Sequence, residues 1–366
     1  MYVKKLCYEN FRNLKDGCFE PDPGINVIFG DNAQGKTNLI EGLWLFSGQK
    51  SFRKVKDAQL VKLQEGEIKP ARLQMEFFAA GRAQTAELHI QNRRTAQLNQ
   101  IPLPAPAALG QSFCAVVFSP DDIDLLKDAP IGRRSFLNNA ISALRPKYEK
   151  MLQLYNRAVQ QRNALLRDVQ FHSELTALLD IYEDRIAKTG AYLTSRRKEY
   201  IAALMRHIPE IFQQLSDGSE QPALTYQCSA GDGSEQALLQ ALQQSRGEDT
   251  KTGFTGVGPH RDDFLFCING LPVKQYGSQG QLRSAVLSIK LAQAELLKTF
   301  LGEQPIAILD DVMSELDAFR RDYILNHING WQVFITCCDP EPADRLVAGA
   351  RFQMRAGVLE KTAGAT

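Results

Sequence analysis

The sequence predicts an α/β fold built from both ends of the chain, with a second, mainly helical lobe inserted between them. Three observations support this prediction. A glycine-rich loop, GDNAQGKT, follows the apolar run INVIF near the start of the chain. Another apolar run, PIAILDD, ends in two aspartates near the other end. Between them, from about 130 to 215, leucines recur at the three- and four-residue spacing of amphipathic helices. We expect lobe I to comprise residues 1–125 and 295–366, and lobe II residues 126–294.

In lobe I, the short run INVIF indicates a buried strand, and KTNLIEGLWLFSG indicates the helix that follows it. The segments RLQMEFFA and AELHIQN predict a hairpin, and FCAVVFSP predicts another buried strand that stops at Pro120. YVKKLCYENF near the start, and PIAILDD and WQVFITCCD near the end, are further expected strands.

In lobe II, His172–Arg206 contains no proline and predicts one long helix, within which Gly190 is tolerable. Residues 216–253 are polar, with many Gly, Ser and Asp, and are expected to include a loop. The NG pair in FLFCINGLPVKQY signals a hairpin turn, and a helix is expected from about Gln281 to Phe300.

The bulk composition is that of an ordinary soluble protein. The chain has 366 residues, of which 44% are hydrophobic and 23% charged, and its formal net charge is +1. Its seven cysteines form no C-x-x-C pair, which favours a reducing compartment. The N-terminus lacks the apolar core of a signal peptide, and no stretch approaches the ~20 apolar residues of a membrane span. We therefore expect a cytoplasmic protein with no membrane partner.

The loop after INVIF has the G-x-x-x-x-G-K-[ST] spacing of a phosphate-binding loop, and it stands between a strand and a helix as that motif requires. Its N–H groups and Lys36 would contact the phosphates of a nucleotide, and the Thr37 hydroxyl would bind Mg²⁺. A chance glycine-rich turn is the alternative interpretation. The predicted nucleotide-binding residues here are Gly30, Asp31, Asn32, Ala33, Gln34, Gly35, Lys36, Thr37 and Asn38.

The two aspartates of PIAILDD could complete such a site. Asp310 is placed to organise Mg²⁺ together with Thr37, and Asp311 to orient or activate the attacking water. An apolar strand that ends in aspartate is commonplace on its own. The pairing with the phosphate loop favours the functional interpretation.

A second small, polar element lies about 30 residues upstream. Ser278, Gln279 and Gly280 open an apolar helix, where they could bind an anion at its N-terminus. Because the chain already has one phosphate loop, this element would serve the nucleotide of a neighbouring copy. Plain helix capping is the alternative, and the same choice applies to the turn Ser314–Asp317.

Seven segments in order resemble the RecF family, the bacterial recombination mediators, within the SMC-like branch of the ABC ATPases. They are LCYENFRNL, GDNAQGKTNLIEGLWLFSGQKSFR, VVFSPDDIDLLKDAPIGRRSFLN, GVGPHRDD, YGSQGQLRS, AILDDVMSELD and VFITCCD. The resemblance implies a P-loop NTPase head of the ABC/SMC type with an inserted helical lobe, which binds ATP and Mg²⁺. It also implies an ATP-dependent homodimer in which Ser278, Gln279 and Gly280 act on the γ-phosphate bound by the partner copy. Arg53 would lie near the base and ribose.

By the same resemblance, the protein would be a weak, DNA-stimulated ATPase. It would close on double-stranded or gapped DNA with little sequence specificity and open after hydrolysis. RecR, and in some contexts RecO, would be its partners, and RecA would be loaded near single-strand–double-strand junctions. Asp311 stands where many ABC ATPases have glutamate, and Thr336 where they have a switch histidine. We therefore expect slow turnover.

Two basic stretches in lobe II are candidates for contact with DNA. Residues 133–167 hold eight Lys/Arg and one acid, and residues 185–206 hold six Lys/Arg and one acid. Phosphate contacts dominate DNA affinity. A solvated helix face is the competing interpretation. His260 and Arg261 are assigned no chemistry. The predicted DNA-binding residues are Arg133, Arg134, Arg157, Arg162 and Arg197.

Two other function classes remain open. The first is the nucleotide-binding subunit of a membrane transporter, which shares the fold but not the long basic helices. The second is an interaction module in which the nucleotide is only structural.

Overall fold

A computed structural model describes residues 1–64, 67–169, 171–216, 218–338 and 349–362. The chain forms two compact units: unit 1 is Met1–Asp122 with Leu287–Thr366, and unit 2 is Ile123–Val286. The chain thus passes between units at 122/123 and 286/287, where the sequence placed the changes at 125/126 and 294/295. Within the described residues, no helix is long and apolar enough to cross a membrane.

The strands are β1 (Tyr2–Glu9), β2 (Gly17–Phe19), β3 (Ile25–Phe29), β4 (Leu63–Gln64), β5 (Glu67–Ile68), β6 (Ala71–Ala79), β7 (Arg82–Ile90), β8 (Arg94–Leu98), β9 (Ile101–Pro102), β10 (Ala115–Phe118), β11 (Pro222–Gln227), β12 (Asp263–Ile268), β13 (Leu271–Pro272), β14 (Ile306–Asp310), β15 (Val333–Cys337), β16 (Ala350–Arg355) and β17 (Val358–Thr362). The α-helices are α1 (Lys36–Trp44), α2 (Asp124–Lys127), α3 (Pro130–Leu144), α4 (Pro146–Val169), α5 (Thr176–Leu204), α6 (Ile208–Leu215), α7 (Glu235–Thr252), α8 (Val273–Tyr276), α9 (Gln279–Leu301) and α10 (Ala318–His327).

Unit 1 contains two six-stranded sheets. One is antiparallel, in the order β2-β1-β6-β7-β8-β9, and the other has the order β10-β14-β15-β3-β16-β17. In the second sheet every neighbouring pair is parallel except β16 and β17. A hydrophobic core contains side chains of both sheets and of α1, among them Leu43, Phe77, Ile308 and Phe334. Burial of β14 on both faces explains the unbroken apolar run that the sequence shows before Asp310.

The parallel pairing places the candidate site. Since β14, β15 and β3 are adjacent and run in the same direction, their carboxyl ends meet at one edge of the sheet. The glycine-rich loop follows β3 there, and Asp310 ends β14. This edge is where open α/β sheets bind their ligands.

Unit 2 is mainly helical. Helices α4 and α5 form its longest pair, and a three-stranded sheet, β11-β12-β13, completes the unit. The expected long helix is confirmed over Thr176–Leu204. Gly190 lies inside this helix, where the packing is tight. A Cβ at this position would come within 3.2 Å of the Tyr155 ring and 3.3 Å of Leu238.

The polar stretch 216–253 includes a loop, as expected, but it is confined largely to residues 228–234. Strand β11 and the 18-residue helix α7 lie on either side of it. Helix α7 buries few side chains, including Leu238 and Leu242, so its composition is polar although it packs against the unit. Ser234 caps its N-terminus through a hydrogen bond from the Ala237 N–H, and Gly253 ends it in the left-handed conformation.

The cysteines also differ from expectation. Cys7 and Cys18 form a disulfide, with Cα atoms 4.1 Å apart. The antiparallel register of β1 and β2 pairs these two positions directly. The strand register sets this pairing, so the spacing of cysteines in the sequence carries no information about it.

Candidate nucleotide-binding site

The loop between β3 and α1 has a backbone that only glycine accommodates at two positions. Gly30 has φ 147° and Gly35 has φ 117°. A Cβ at Gly30 would lie 2.4 Å from the Met354 carbonyl oxygen, and one at Gly35 would lie 2.9 Å from Leu14 Cδ2. The spacing of the two glycines is therefore a requirement of the fold around the loop.

Lys36 is the first residue of α1, and it is 7% exposed. Its ammonium donates hydrogen bonds to the carbonyl oxygens of Gly30 and, at 2.9 Å, Asp31. The charge therefore lies within the loop, next to the backbone N–H groups at the start of the helix. A buried cation combined with a helix N-terminus is an arrangement suited to a phosphate.

Asp310 and Thr37 are brought together by the sheet. The Thr37 hydroxyl donates to Asp310 Oδ1 at 3.0 Å, and the Thr336 hydroxyl donates to the same atom at 2.7 Å. Burial raises the pKa of Asp310, and the two hydrogen bonds oppose that shift.

A hydroxyl and a carboxylate in contact fit Mg²⁺, which binds one or two protein oxygens and completes its shell with water and phosphate. No group of three or more His, Cys, Asp or Glu side chains that could hold a metal ion occurs in the described part of the chain. A magnesium site with only one hydroxyl and one carboxylate from the protein is consistent with the absence of such a group among the described residues.

Asp311 lies beside this pair in an unusual backbone conformation, with φ 52°. Its N–H donates to the Thr336 hydroxyl at 3.0 Å and to the Thr336 carbonyl at 3.2 Å, and its own carbonyl accepts from the Ser314 hydroxyl. Thr336 therefore contacts both aspartates. The sequence identified Thr336 only as the residue that replaces a histidine, and the structure shows it as a buried link between Asp310 and Asp311.

A cavity of about 730 Å³ opens onto the loop. This volume suits a small-molecule ligand of nucleotide size. The lining residues are Arg12, Asn13, Asn32, Ala33, Gln34, Gly35, Lys36, Thr37, Asn38, Arg53, Gln59, Val61, Lys62 and Asp311.

A chain of hydrogen bonds connects one wall of the cavity to the loop. Arg53 Nη1 donates to Asn38 Oδ1 at 2.9 Å, Asn38 Nδ2 donates to Asn13 Oδ1 at 2.6 Å, and Asn13 Nδ2 donates to the Ala33 carbonyl at 3.0 Å. The structure thus brings Arg53 and Asn38 together, both of which the sequence singled out. It adds Asn13, which sequence reasoning missed although it lies in the quoted segment LCYENFRNL.

Arg12 is a second residue that sequence reasoning missed. Its Nε and Nη2 donate to the two carboxylate oxygens of buried Glu41 at 2.9 and 3.0 Å, and Nη1 donates to the Gln59 carbonyl at 3.1 Å. The Ser51 hydroxyl also donates to Glu41. Glu41 thus orients a guanidinium at the cavity wall from the second turn of α1.

Ser278, Gln279 and Gly280 belong to unit 2 and lie at the N-terminus of α9. The Ser278 hydroxyl accepts from the Gln281 N–H at 3.1 Å, and Gln281 Oε1 accepts from the Ser278 N–H at 2.7 Å. This reciprocal pair is a capping box. Ser278 and Gln279 are exposed.

Three of the five arginines predicted to bind DNA are buried, which corrects that prediction. Arg162 is fully buried, and Arg197 and Arg133 are 2% and 5% exposed. Arg162 donates to Glu183 at 2.9 Å and to Asp249 at 2.7 Å. These three guanidinium groups are buried and donate to other groups of unit 2, so they are not exposed to a backbone phosphate.

For Arg162 and Arg133, the charge count along the sequence failed because the neutralising acids come from distant segments. Asp249 lies on α7, and Asp263, which binds Arg133 through two hydrogen bonds, begins β12. Arg157 is exposed and Arg134 is half-buried, so these two remain accessible.

Comparison with known proteins agrees with this fold. The chain matches the RecF/RecN/SMC N terminal domain over residues 2–356. It is 36% identical to the DNA replication and repair protein RecF of Acetivibrio thermocellus, over 93% of this chain and 94% of that one. It is 38% identical to the protein of the same name from Symbiobacterium thermophilum, over 98% of both chains.

The structure is similar to a solved structure of the recombination mediator protein RecF-ATP in the RecFOR pathway. The TM-score is 0.91 at 34% identity, with 99% of this chain and 98% of that chain covered. This likeness confirms the predicted fold class, an ABC/SMC-type P-loop head with helical content. The chain therefore belongs to the RecF family, among the proteins that share the RecF/RecN/SMC N terminal domain.

Proposed function

We propose that the protein is an ATP-dependent DNA-binding protein of recombination repair, with a weak ATPase activity that DNA stimulates. The observation that carries this proposal is the contact of Asp310 with Thr37, which lines the same cavity as Lys36 and Asp311. The names of its relatives, DNA replication and repair protein RecF, support the biological role. Membership of this family speaks against a transporter subunit.

Binding of the triphosphate rests on the loop. The loop N–H groups and Lys36 would hold the β- and γ-phosphates. Lys36 donates to loop carbonyls in this structure, so phosphate oxygens would replace weaker, uncharged acceptors. Arg12, Asn13 and Arg53 would lie along the ribose and base, since they line the rest of the cavity.

The magnesium ion, when bound, would neutralise charge on the phosphates. Thr37 and Asp310 would hold it, and Thr336 would keep the Asp310 carboxylate oriented through the hydrogen bond to Oδ1. Asp311 would orient the attacking water and accept its proton. Its shorter side chain, compared with glutamate, is the basis for slow turnover, and a steady-state rate above ~10 s⁻¹, the median for enzymes, would count against it.

The proposal includes an ATP-dependent homodimer. Ser278, Gln279 and Gly280 would contact the γ-phosphate bound by the partner copy. Support comes from the exposure of Ser278 and Gln279 at the start of a 23-residue helix, where anions bind favourably. The closed dimer would bind double-stranded or gapped DNA in the cytoplasm, with RecR and RecO as partners.

An ATPase assay with and without double-stranded DNA tests this proposal. We expect hydrolysis by the wild type to be slow and to increase with DNA. Asp311→Asn should lose hydrolysis but retain nucleotide binding, whereas Lys36→Ala should lose both. Asp121→Asn, a change of an exposed aspartate outside the cavity, serves as the matched control. Wild-type activity in Asp311→Asn, or a rate that does not respond to DNA, would contradict the proposal.

A further inference from the structure

The segment Gly258–Asp263 has no role in the nucleotide site, and its histidine is fully accounted for by the fold of unit 2. His260 Nε2 donates to the Thr255 carbonyl at 2.9 Å, and Nδ1 accepts from the Tyr155 hydroxyl at 2.6 Å. Burial lowers the pKa of His260, so the ring is neutral. The fold does not account for Arg261, the next residue, in the same way, because it is exposed.

Arg197 lies at the centre of this region with its charge buried. It donates to the hydroxyls of Tyr148 and Tyr226, to the Pro259 carbonyl at 2.6 Å, and to the Asn138 side-chain oxygen at 2.9 Å. Among the described residues, none of its hydrogen-bond partners is a carboxylate. The guanidinium is therefore stabilised by neutral hydrogen-bond acceptors, and no carboxylate of the described residues accepts a hydrogen bond from it.

Two aspartates compensate only part of the local charge. Asp263 binds Arg133 at 2.7 and 2.9 Å. Asp262 is buried and accepts from the Ser229 N–H and hydroxyl and from the Tyr226 hydroxyl, each at 2.7 Å. The cluster contains four guanidinium groups and these two carboxylates, so it carries a net charge of +2. The four arginines are Arg133, Arg134, Arg197 and Arg261.

Arg134 and Arg261 are the members of this cluster that reach solvent. Arg134 is half-buried and uses Nη1 to donate to the Asp262 carbonyl at 3.1 Å. Arg261 is exposed and uses Nε to donate to the Thr255 carbonyl at 3.2 Å. Within the described part of the chain, each of these two side chains thus uses one guanidinium nitrogen for a hydrogen bond to the protein. Most of its five N–H donors are therefore available to a ligand.

The electrostatics around Arg134 favour an anion. Burial lowers the pKa of Arg134, and repulsion by Arg197, Arg261 and Arg133 lowers it further, against the attraction of Asp263. Positive charges held close together by a hydrogen-bonded frame are stabilised by a ligand that carries negative charge. Guanidinium groups bind phosphate oxygens in pairs of parallel hydrogen bonds.

We propose that Arg134 and Arg261 form a binding site for a phosphate of the DNA backbone. This inference rests on the proposed DNA-binding function and gives it a location. Because the interaction is with a phosphate and not with a base edge, it contributes affinity and salt dependence but no sequence specificity.

The test is a salt titration of DNA affinity. Binding of a fluorescent double-stranded DNA of mixed sequence is measured by anisotropy, with ATP present, for the wild type and for Arg134→Gln/Arg261→Gln. The slope of log K against log salt should become shallower by about 0.9 for each phosphate that the variant no longer neutralises. Affinity should weaken equally for unrelated DNA sequences. Arg82→Gln, at an exposed arginine of unit 1, should leave the slope unchanged.

A second variant separates loss of charge from loss of structure. Arg134→Lys/Arg261→Lys keeps both charges, so its salt slope should stay close to that of the wild type, and nucleotide binding reports folding of each protein. An unchanged slope in the glutamine variant, while the wild type binds DNA, would overturn this inference alone. If the wild type itself binds no DNA with ATP at low salt, the proposed function fails and the inference with it.

Discussion

Replacement of Thr336 by valine tests whether this threonine links the two aspartates of the nucleotide site. Its hydroxyl donates to Asp310 Oδ1 at 2.7 Å and accepts from the Asp311 N–H at 3.0 Å, and the residue is fully buried. Valine has nearly the same shape, so Thr336→Val removes these two hydrogen bonds without opening a cavity.

The expected destabilisation follows from these two bonds. A hydrogen bond to a charged group contributes about 1.5–3 kcal/mol, and a neutral one about 0.5–1.5 kcal/mol. The Asp311 N–H retains the Thr336 carbonyl as a second acceptor, which reduces the second contribution. We expect the free energy of unfolding to fall by about 2–3 kcal/mol. The pKa of Asp310 should rise further, because the variant lacks one hydrogen bond that opposes the effect of burial.

Urea unfolding and a magnesium titration of ATP hydrolysis measure the two effects. Thr336→Val should unfold at lower urea concentration and require more Mg²⁺ for half-maximal activity. Thr336→Ser keeps the hydroxyl and is the matched control, with wild-type magnesium dependence. Wild-type behaviour of Thr336→Val, or an equal effect in Thr336→Ser, would refute the role of this hydroxyl.

Three further predictions concern other parts of the chain. Arg162→Ala removes the cation that contacts buried Asp249 and leaves buried Glu183 with Arg246 as its remaining ion-pair partner among the described residues. Urea unfolding should show a loss of about 3–5 kcal/mol, whereas Arg157→Ala on the same helix should change stability by less than about 0.5 kcal/mol. Equal stability of the two variants would show that the buried network is dispensable. Cys338 Sγ lies 3.7 Å from Lys36 Nζ, so ATP at ten times its Kd should slow alkylation of Cys338 about tenfold. Alkylation is measured by peptide mass spectrometry, with Cys267 of unit 2 as the unprotected control. If ATP gives Cys338 no protection, the nucleotide does not bind at this position. Burial lowers the pKa of His260, so the unfolded chain binds more protons than the folded one, and the stability that neutral His260 provides should be present above about pH 6.5 and lost as pH falls below it. Urea midpoints should therefore decrease less steeply between pH 7 and 5.5 for His260→Gln than for the wild type. Parallel curves for the two proteins would contradict this assignment.

The sequence was informative where function depends on a local run of residues. The phosphate loop, its flanking strand and helix, and the acidic end of β14 are each encoded within about ten residues. Their assembly into one site follows from parallel strand pairing, a general rule of α/β sheets. Arg53 was assigned through the family resemblance, and it lines the same cavity as the loop.

What the sequence did not reveal depends on contacts between distant segments. Asn13 reaches Ala33 of the phosphate loop, and Arg12 reaches Glu41. The charge of Arg162 was taken as a surface charge because the acid that neutralises it on α7 lies 87 residues away. Helix α7 itself was missed because burial of only a few apolar side chains leaves no clear periodicity.

The central claim is that one chain supplies only half of each ATP site, and the molecular mass in solution tests it most directly. Light scattering should detect a species of two chains in the presence of Mg²⁺ and ATP, but not with ADP. Ser278→Arg, at the exposed start of α9, should prevent this species from forming and abolish hydrolysis. A protein that remains a single chain with ATP while it hydrolyses ATP, or a Ser278→Arg variant with wild-type activity, would contradict the claim.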